Sequence, residues 1–105
     1  MHRHAGDASD LLWAVLRLDS PEVELLSRRI AEEPQLARPT SDTPSDMLNR
    51  ALPPKFFVYQ EELKARAEAL ARAARAKDND EVASAFGQMV ETCVACHDTY
   101  VNKKP

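Results

Sequence analysis

Apolar residues recur every three or four positions along most of this chain, which is the period of helices with one buried face. Ala8, Leu11, Val15 and Leu18 carry that stripe through a first predicted helix, Ala5 to Leu18, and His4 falls in phase with it. Asp19-Ser20-Pro21 reads as a stop followed by a start. Asp19 or Ser20 can accept from the first amides of a new helix, and proline is tolerated in a first turn whose N–H groups lack intrahelical partners. A second helix to about Glu33 buries Val23, Leu26 and Ile30, and a break at Pro21 is preferred to a kink within one helix.

From Pro34 to Pro53 the periodicity stops. Four prolines with Thr, Ser, Asp and Asn among them predict a long connection, in which Met47, Leu48 and Leu52 could tuck one short turn onto the core. After Pro53-Pro54 a third helix is predicted to about Lys77, roughly 35 Å at 1.5 Å per residue, with Phe56, Tyr59, Leu63, Ala67, Leu70 and Ala74 on its stripe. Lys77-Asp78-Asn79-Asp80 is a tight polar turn that supplies the next cap. The fourth helix, about Asp80 to Asn102, turns Val82, Phe86, Met89, Cys93, Cys96 and Tyr100 inward. The expected fold is all-α: one antiparallel four-helix bundle over residues 1–105, with two short turns and one long middle connection.

Composition fits that picture and narrows the function. The chain has 105 residues, 44% hydrophobic and 30% charged, with only two glycines, the balance of a soluble helical domain with a modest core. Its net charge is -3, and Lys and Arg are scattered among Asp and Glu, so no basic stripe invites nucleic acid. Glu61, Glu62, Lys64, Arg66, Arg72 and Arg75 read as a solvated face. The apolar run from Leu11 to Leu16 covers six positions, far short of the roughly 18 of a membrane span. Met1-His2-Arg3-His4 leads into a polar amphipathic segment rather than the apolar core of a signal peptide.

The chemistry is concentrated in Cys93-Val94-Ala95-Cys96-His97. Two cysteines three apart with histidine next are the pattern for covalent haem attachment. On a helix, positions three and four apart share a face, so both thiols can reach one porphyrin edge while His97, four after Cys93, offers the proximal iron ligand. Other readings of these residues are a redox dithiol, which normally follows a strand, a zinc site completed by His2 and His4, and a buried cysteine pair without function. No acid, base and nucleophile come together as in a substrate pocket, so an enzyme is not expected. Tyr59 and Trp13 are expected as core aromatics rather than redox relays. Asp98 could orient a neighbour or be solvated.

Small globular cytochromes c carry such a motif near the N-terminus. Here it closes a four-helix pattern, and the chain resembles the cytochrome c prime family. The resemblance is carried by Pro54-Lys55-Phe56-Phe57, by Phe86-Gly87 and by Cys93 through Tyr100, and is clearest from Pro53 to Tyr100. It implies one covalent haem c near the C-terminal end of the fourth helix, with thioethers at Cys93 and Cys96 and iron ligation by His97. In bacteria such attachment occurs outside the cytoplasm, which implies a periplasmic protein whose leader has been removed. The first half is shorter than the family's usual first helix, and Val101 stands where an arginine is often found.

Members of the family are six-coordinate electron carriers or five-coordinate proteins that bind nitric oxide or carbon monoxide, and they commonly form homodimers. Redox partner proteins are not named by the sequence. In an up-down-up-down bundle the start of the first helix lies beside the end of the fourth, so the residues facing His97 are expected at about positions 4 to 12. His4 is the candidate distal iron ligand, with Met1 also in phase. Leu11 or Leu12 would cover the iron in a five-coordinate site, and Tyr100 is a further haem-pocket candidate. The preferred reading is a six-coordinate electron carrier or redox module. The alternative is a gas-binding haem protein.

Overall fold

A computed structural model describes residues 2–35 and 52–100, without the side chains of residues 2–5 and 100. The described residues form four helices and no strand: α1 His2–Leu16, α2 Ser20–Ala31, α3 Pro54–Arg75 and α4 Asn79–Tyr100. The chain breaks at Asp19 rather than kinking at Pro21. Most of the proline-rich connection, with Met47 and Leu48, lies outside the described residues, as does Met1. No described helix is long and apolar enough to cross a membrane.

The two short junctions are built alike. At the end of α1, Leu18 turns left-handed with φ 57, and at the end of α3 Lys77 does so with φ 58. That turn lets the Asp19 amide donate to the Ala14 carbonyl at 3.0 Å and the Asp78 amide to the Ala73 carbonyl at 3.3 Å, satisfying carbonyls the helix ends would otherwise strand. Each aspartate then caps the next helix. Asp19 Oδ1 accepts from the Glu22 amide at 3.2 Å and Asp78 Oδ1 from the Glu81 amide at 3.1 Å.

One apolar cluster joins all four helices, with Leu11, Leu26, Leu70, Val23 and Met89 sealed from solvent and Val82, Ala85, Ala67, Ala73 and Ala74 packed among them. Sealing a side chain the size of leucine contributes about 1.5–3 kcal/mol, so these positions dominate the stability. Phe57, which the stripe left out, is buried beside Phe56, with ring centroids 5.5 Å apart at 89°. Two expectations are corrected. Leu18 is 64% exposed, because the left-handed turn swings it off the α1 stripe, and Trp13 is 58% exposed, because it lies outside the phase of Leu11 and Ala14.

Cross-helix polar contacts fix the levels of the helices. Arg29 of α2 pairs with Asp7 of α1 at 3.2 Å. Lys64 of α3 donates to the Ala31 carbonyl at 2.7 Å, and Gln35 donates to the Gln60 carbonyl at 3.1 Å. Arg66 of α3 donates to Gln88 Oε1 of α4 at 2.8 Å.

Candidate haem site

The last third of α4 carries the motif. Cys93 and Cys96 are both free thiols and both half-buried. Helical spacing brings Val90, Cys93, Val94 and His97 onto one face, and they line a concavity of about 590 Å³ with Glu91, Ala95 and Asp98. All of its lining residues belong to α4. Cys96 sits on the flank of that face, three residues from Cys93. The hydroxyls nearby are turned back onto their own helix, Thr92 donating to the Gln88 carbonyl at 3.4 Å and Thr99 to that of Ala95 at 3.0 Å. They leave the concavity apolar.

Two features suit this surface to a flat apolar group. Val90 is 40% exposed and Val94 62% exposed, so the valines beside the thiols present apolar area to water that a macrocycle would cover. The exposed His97 imidazole has no hydrogen bond or ion pair among the described residues, which leaves a ring nitrogen available to a metal. Burial pushes the Cys93 thiol up from its ordinary pKa, and the neighbouring Cys96 adds to the shift. Burial alone raises that of Cys96. Both thiols are therefore protonated at neutral pH, unlike the activated thiolates of redox dithiols.

No strand precedes the cysteines among the described residues, so the setting of a thioredoxin-like motif is lacking. No group of three His, Cys, Asp or Glu among them could hold a metal ion. The zinc set would draw on His2 and His4, whose side chains lie outside what is described.

The remaining candidates fall elsewhere. Leu11 is sealed in the core cluster and Leu12 is 42% exposed, and neither lines the concavity. The backbone of His4 belongs to the first turn of α1 and that of Tyr100 to the end of α4, while both side chains are outside the described set. Val90 and Val94 were missed by sequence reasoning, which sought the pocket on the inward stripe. Their signal is two valines flanking Cys93 on the face next to that stripe.

Comparison with curated proteins and with solved structures gives no match. A family model described as Cytochrome C' matches residues 51–101. That stretch takes in all of α3, the capped junction at Asp78 and the whole concavity, with Cys93 and His97 in its lining and Cys96 on its flank. Residues 51–101 of the chain thus match the cytochrome c prime family, consistent with a c-type haem protein of four helices.

Proposed function

We propose that the chain carries one haem c, joined through thioethers to Cys93 and Cys96 with His97 as proximal ligand, and serves as an electron carrier or redox module rather than an enzyme. The observation that carries this reading is one apolar concavity lined by the free thiol of Cys93 and the unpartnered imidazole of His97, with the second free thiol, Cys96, on its flank. Bound there, haem supplies an iron that changes oxidation state or takes a small gas. Val90 and Val94 would shield one side of the ring from water. The compartment implied is the periplasm.

The levels of the helices bear on the distal side. In an antiparallel bundle the cross-helix pairs set Asp7, Arg29, Arg66 and Gln88 at one height. His97 is then about nine residues beyond that height, or roughly 14 Å along the axis. Leu11 lies about four residues to the other side, roughly 20 Å from His97 in all. It is committed to the core, so the part of α1 that reaches toward the motif is its first turn. His2 is off the apolar stripe and His4 is in phase with it, which favours His4 as sixth ligand over a leucine cover and a five-coordinate gas site. A homodimer belongs to the same reading, since Leu12, Trp13 and Leu16 of α1 and Leu25 of α2 are exposed.

Visible spectra of both oxidation states test the coordination. The ferric protein is expected to be low spin, and the reduced protein to bind carbon monoxide slowly. His4→Ala should give high spin and fast binding. A wild type already high spin, and indifferent to His4→Ala, would move the protein to the gas-binding branch.

A further inference from the structure

α4 has two faces that differ in more than burial. Val82, Ala85, Met89 and Thr92 are buried against the rest of the bundle. Asp80, Gly87, Glu91, Val94 and Asp98 follow one another at intervals of seven, four, three and four residues, which places them together on the opposite face. All five are exposed. From Asp80 to Asp98 the strip runs about 27 Å at 1.5 Å per residue.

Its charge has one sign. α4 carries Asp80, Glu81, Glu91 and Asp98 and neither lysine nor arginine, so one helix holds more negative charge than the net -3 of the whole chain. α3 beside it carries Arg66, Arg72 and Arg75. Between the carboxylates the strip is flat. Gly87 has no positive φ, and a Cβ there would meet nothing within 4 Å. Glycine weakens a helix relative to alanine, and neither a left-handed turn nor a close neighbour among the described residues asks for it. Its missing side chain leaves a level place beside Val94 where a foreign surface can come close. The strip also meets the haem site, because Glu91, Val94 and Asp98 line the concavity as well.

These features decide the occupant. A second copy laid on the same strip would set carboxylate against carboxylate, and nucleic acid would be repelled. One helix face, about 10 Å wide, is also too small for a permanent interface. It suits the brief encounters of electron transfer, which bury less than about 1,200 Å² in total.

We propose that the outward face of α4 is the docking surface for a redox protein whose electron-transfer edge is ringed by lysine or arginine. The inference rests on the reading of the chain as a haem-bearing electron carrier, and adds the partner's chemistry and the place where it sits. Asp80, Glu91 and Asp98 steer the basic partner in, and the level ground at Gly87 lets the two surfaces close beside the concavity. The exchange is one electron, lost by the reduced centre of one protein and gained by the oxidised centre of the other, with no bond made and no proton moved.

The test mixes the reduced, haem-loaded protein in a stopped-flow instrument with one of two ferric probes. One is a small basic cytochrome c whose haem edge is ringed by lysines, the other an acidic cytochrome c of similar size and potential. The basic probe should react faster. Its second-order rate should fall at least about 10-fold between roughly 10 and 150 mM salt, because charge steering is worth 10- to 10³-fold and the Debye length shrinks from about 30 to 8 Å. Glu91→Lys should slow the basic probe about 10-fold at low salt and speed the acidic one. Asp80→Lys, outside the concavity, should act in the same direction more weakly. Gly87→Leu, also outside the concavity and neutral in charge, should slow the basic probe at every salt concentration while the haem spectrum stays the same. Equal rates for the two probes, or a basic-probe rate that ignores salt and both lysine variants, would overturn the docking face and leave the carrier reading intact. A charge effect with no response to Gly87→Leu would overturn contact at this strip. A protein whose haem is reduced by dithionite yet exchanges electrons with neither probe would overturn the carrier reading, and this inference with it.

Discussion

The end of the bundle that carries the turns at Leu18 and Lys77 and the end that carries Cys93 to His97 are made from the same amphipathic helices, yet they are finished differently. At the turn end, three residues suffice to stop one helix and start the next, and an aspartate caps each new start. The core there is closed by Leu11, Leu26, Leu70 and Val82. Toward the motif, α4 runs on past that cluster and leaves Val90 and Val94 in solvent beside two thiols. The difference teaches where a cofactor has work to do. One end is complete as polypeptide, whereas the other has apolar surface and ligating groups that haem would complete.

Mutations can break that contrast. Leu70→Ala at the closed end should destabilise the protein by about 2–5 kcal/mol, because it removes a sealed side chain and leaves a cavity. Val94→Ala should cost the apoprotein less than about 0.5 kcal/mol, as is usual at an exposed position. Chemical denaturation of both variants, with and without haem, measures the pair. A Val94→Ala cost that stays small in the haem-loaded protein would mean that nothing covers this face.

Smaller effects sharpen the description of the closed end. Asp19→Ala and Asp78→Ala should each lower stability by about 1 kcal/mol through loss of a cap. Leu18→Gly should leave stability unchanged or raise it by less than about 1 kcal/mol, since glycine enters the left-handed region without the clash that leucine suffers but loses more chain entropy on folding. A loss of 2 kcal/mol or more in thermal melts of Leu18→Gly would show that the leucine side chain holds the turn in place.

Much of this was legible in the sequence, for physical reasons that also explain the misses. Leu11, Leu26, Leu70, Val82 and Met89 lie on stripes of helical period, and a helix can bury only one face, so period and burial coincide. Asp19 could be offered as a cap alongside Ser20, and the turn from Lys77 to Asp80 as the source of the other, because a short acceptor before a helix has few other uses there; which side chain caps, Asp19 and Asp78, comes from the structure. Periodicity is blind to the chain turning left-handed at Leu18, and Trp13 was expected inside for its residue type although its phase pointed outward. The spacing of Cys93, Cys96 and His97 carries its own geometry because all three ride on one helix. Placing Leu11 or Leu12 over the iron required knowing how far α1 reaches along α4. That register is set by contacts such as Arg29 with Asp7 and Arg66 with Gln88, which no local pattern encodes.

The measurement that bears most directly on the account is haem staining of the protein on a denaturing gel after acid-acetone extraction, following expression with a c-type maturation system. The wild type is expected to keep its haem through both treatments, Cys93→Ala or Cys96→Ala to retain at most one thioether, and the double variant to lose all colour. A wild-type band that loses its haem on extraction would contradict covalent attachment at Cys93 and Cys96.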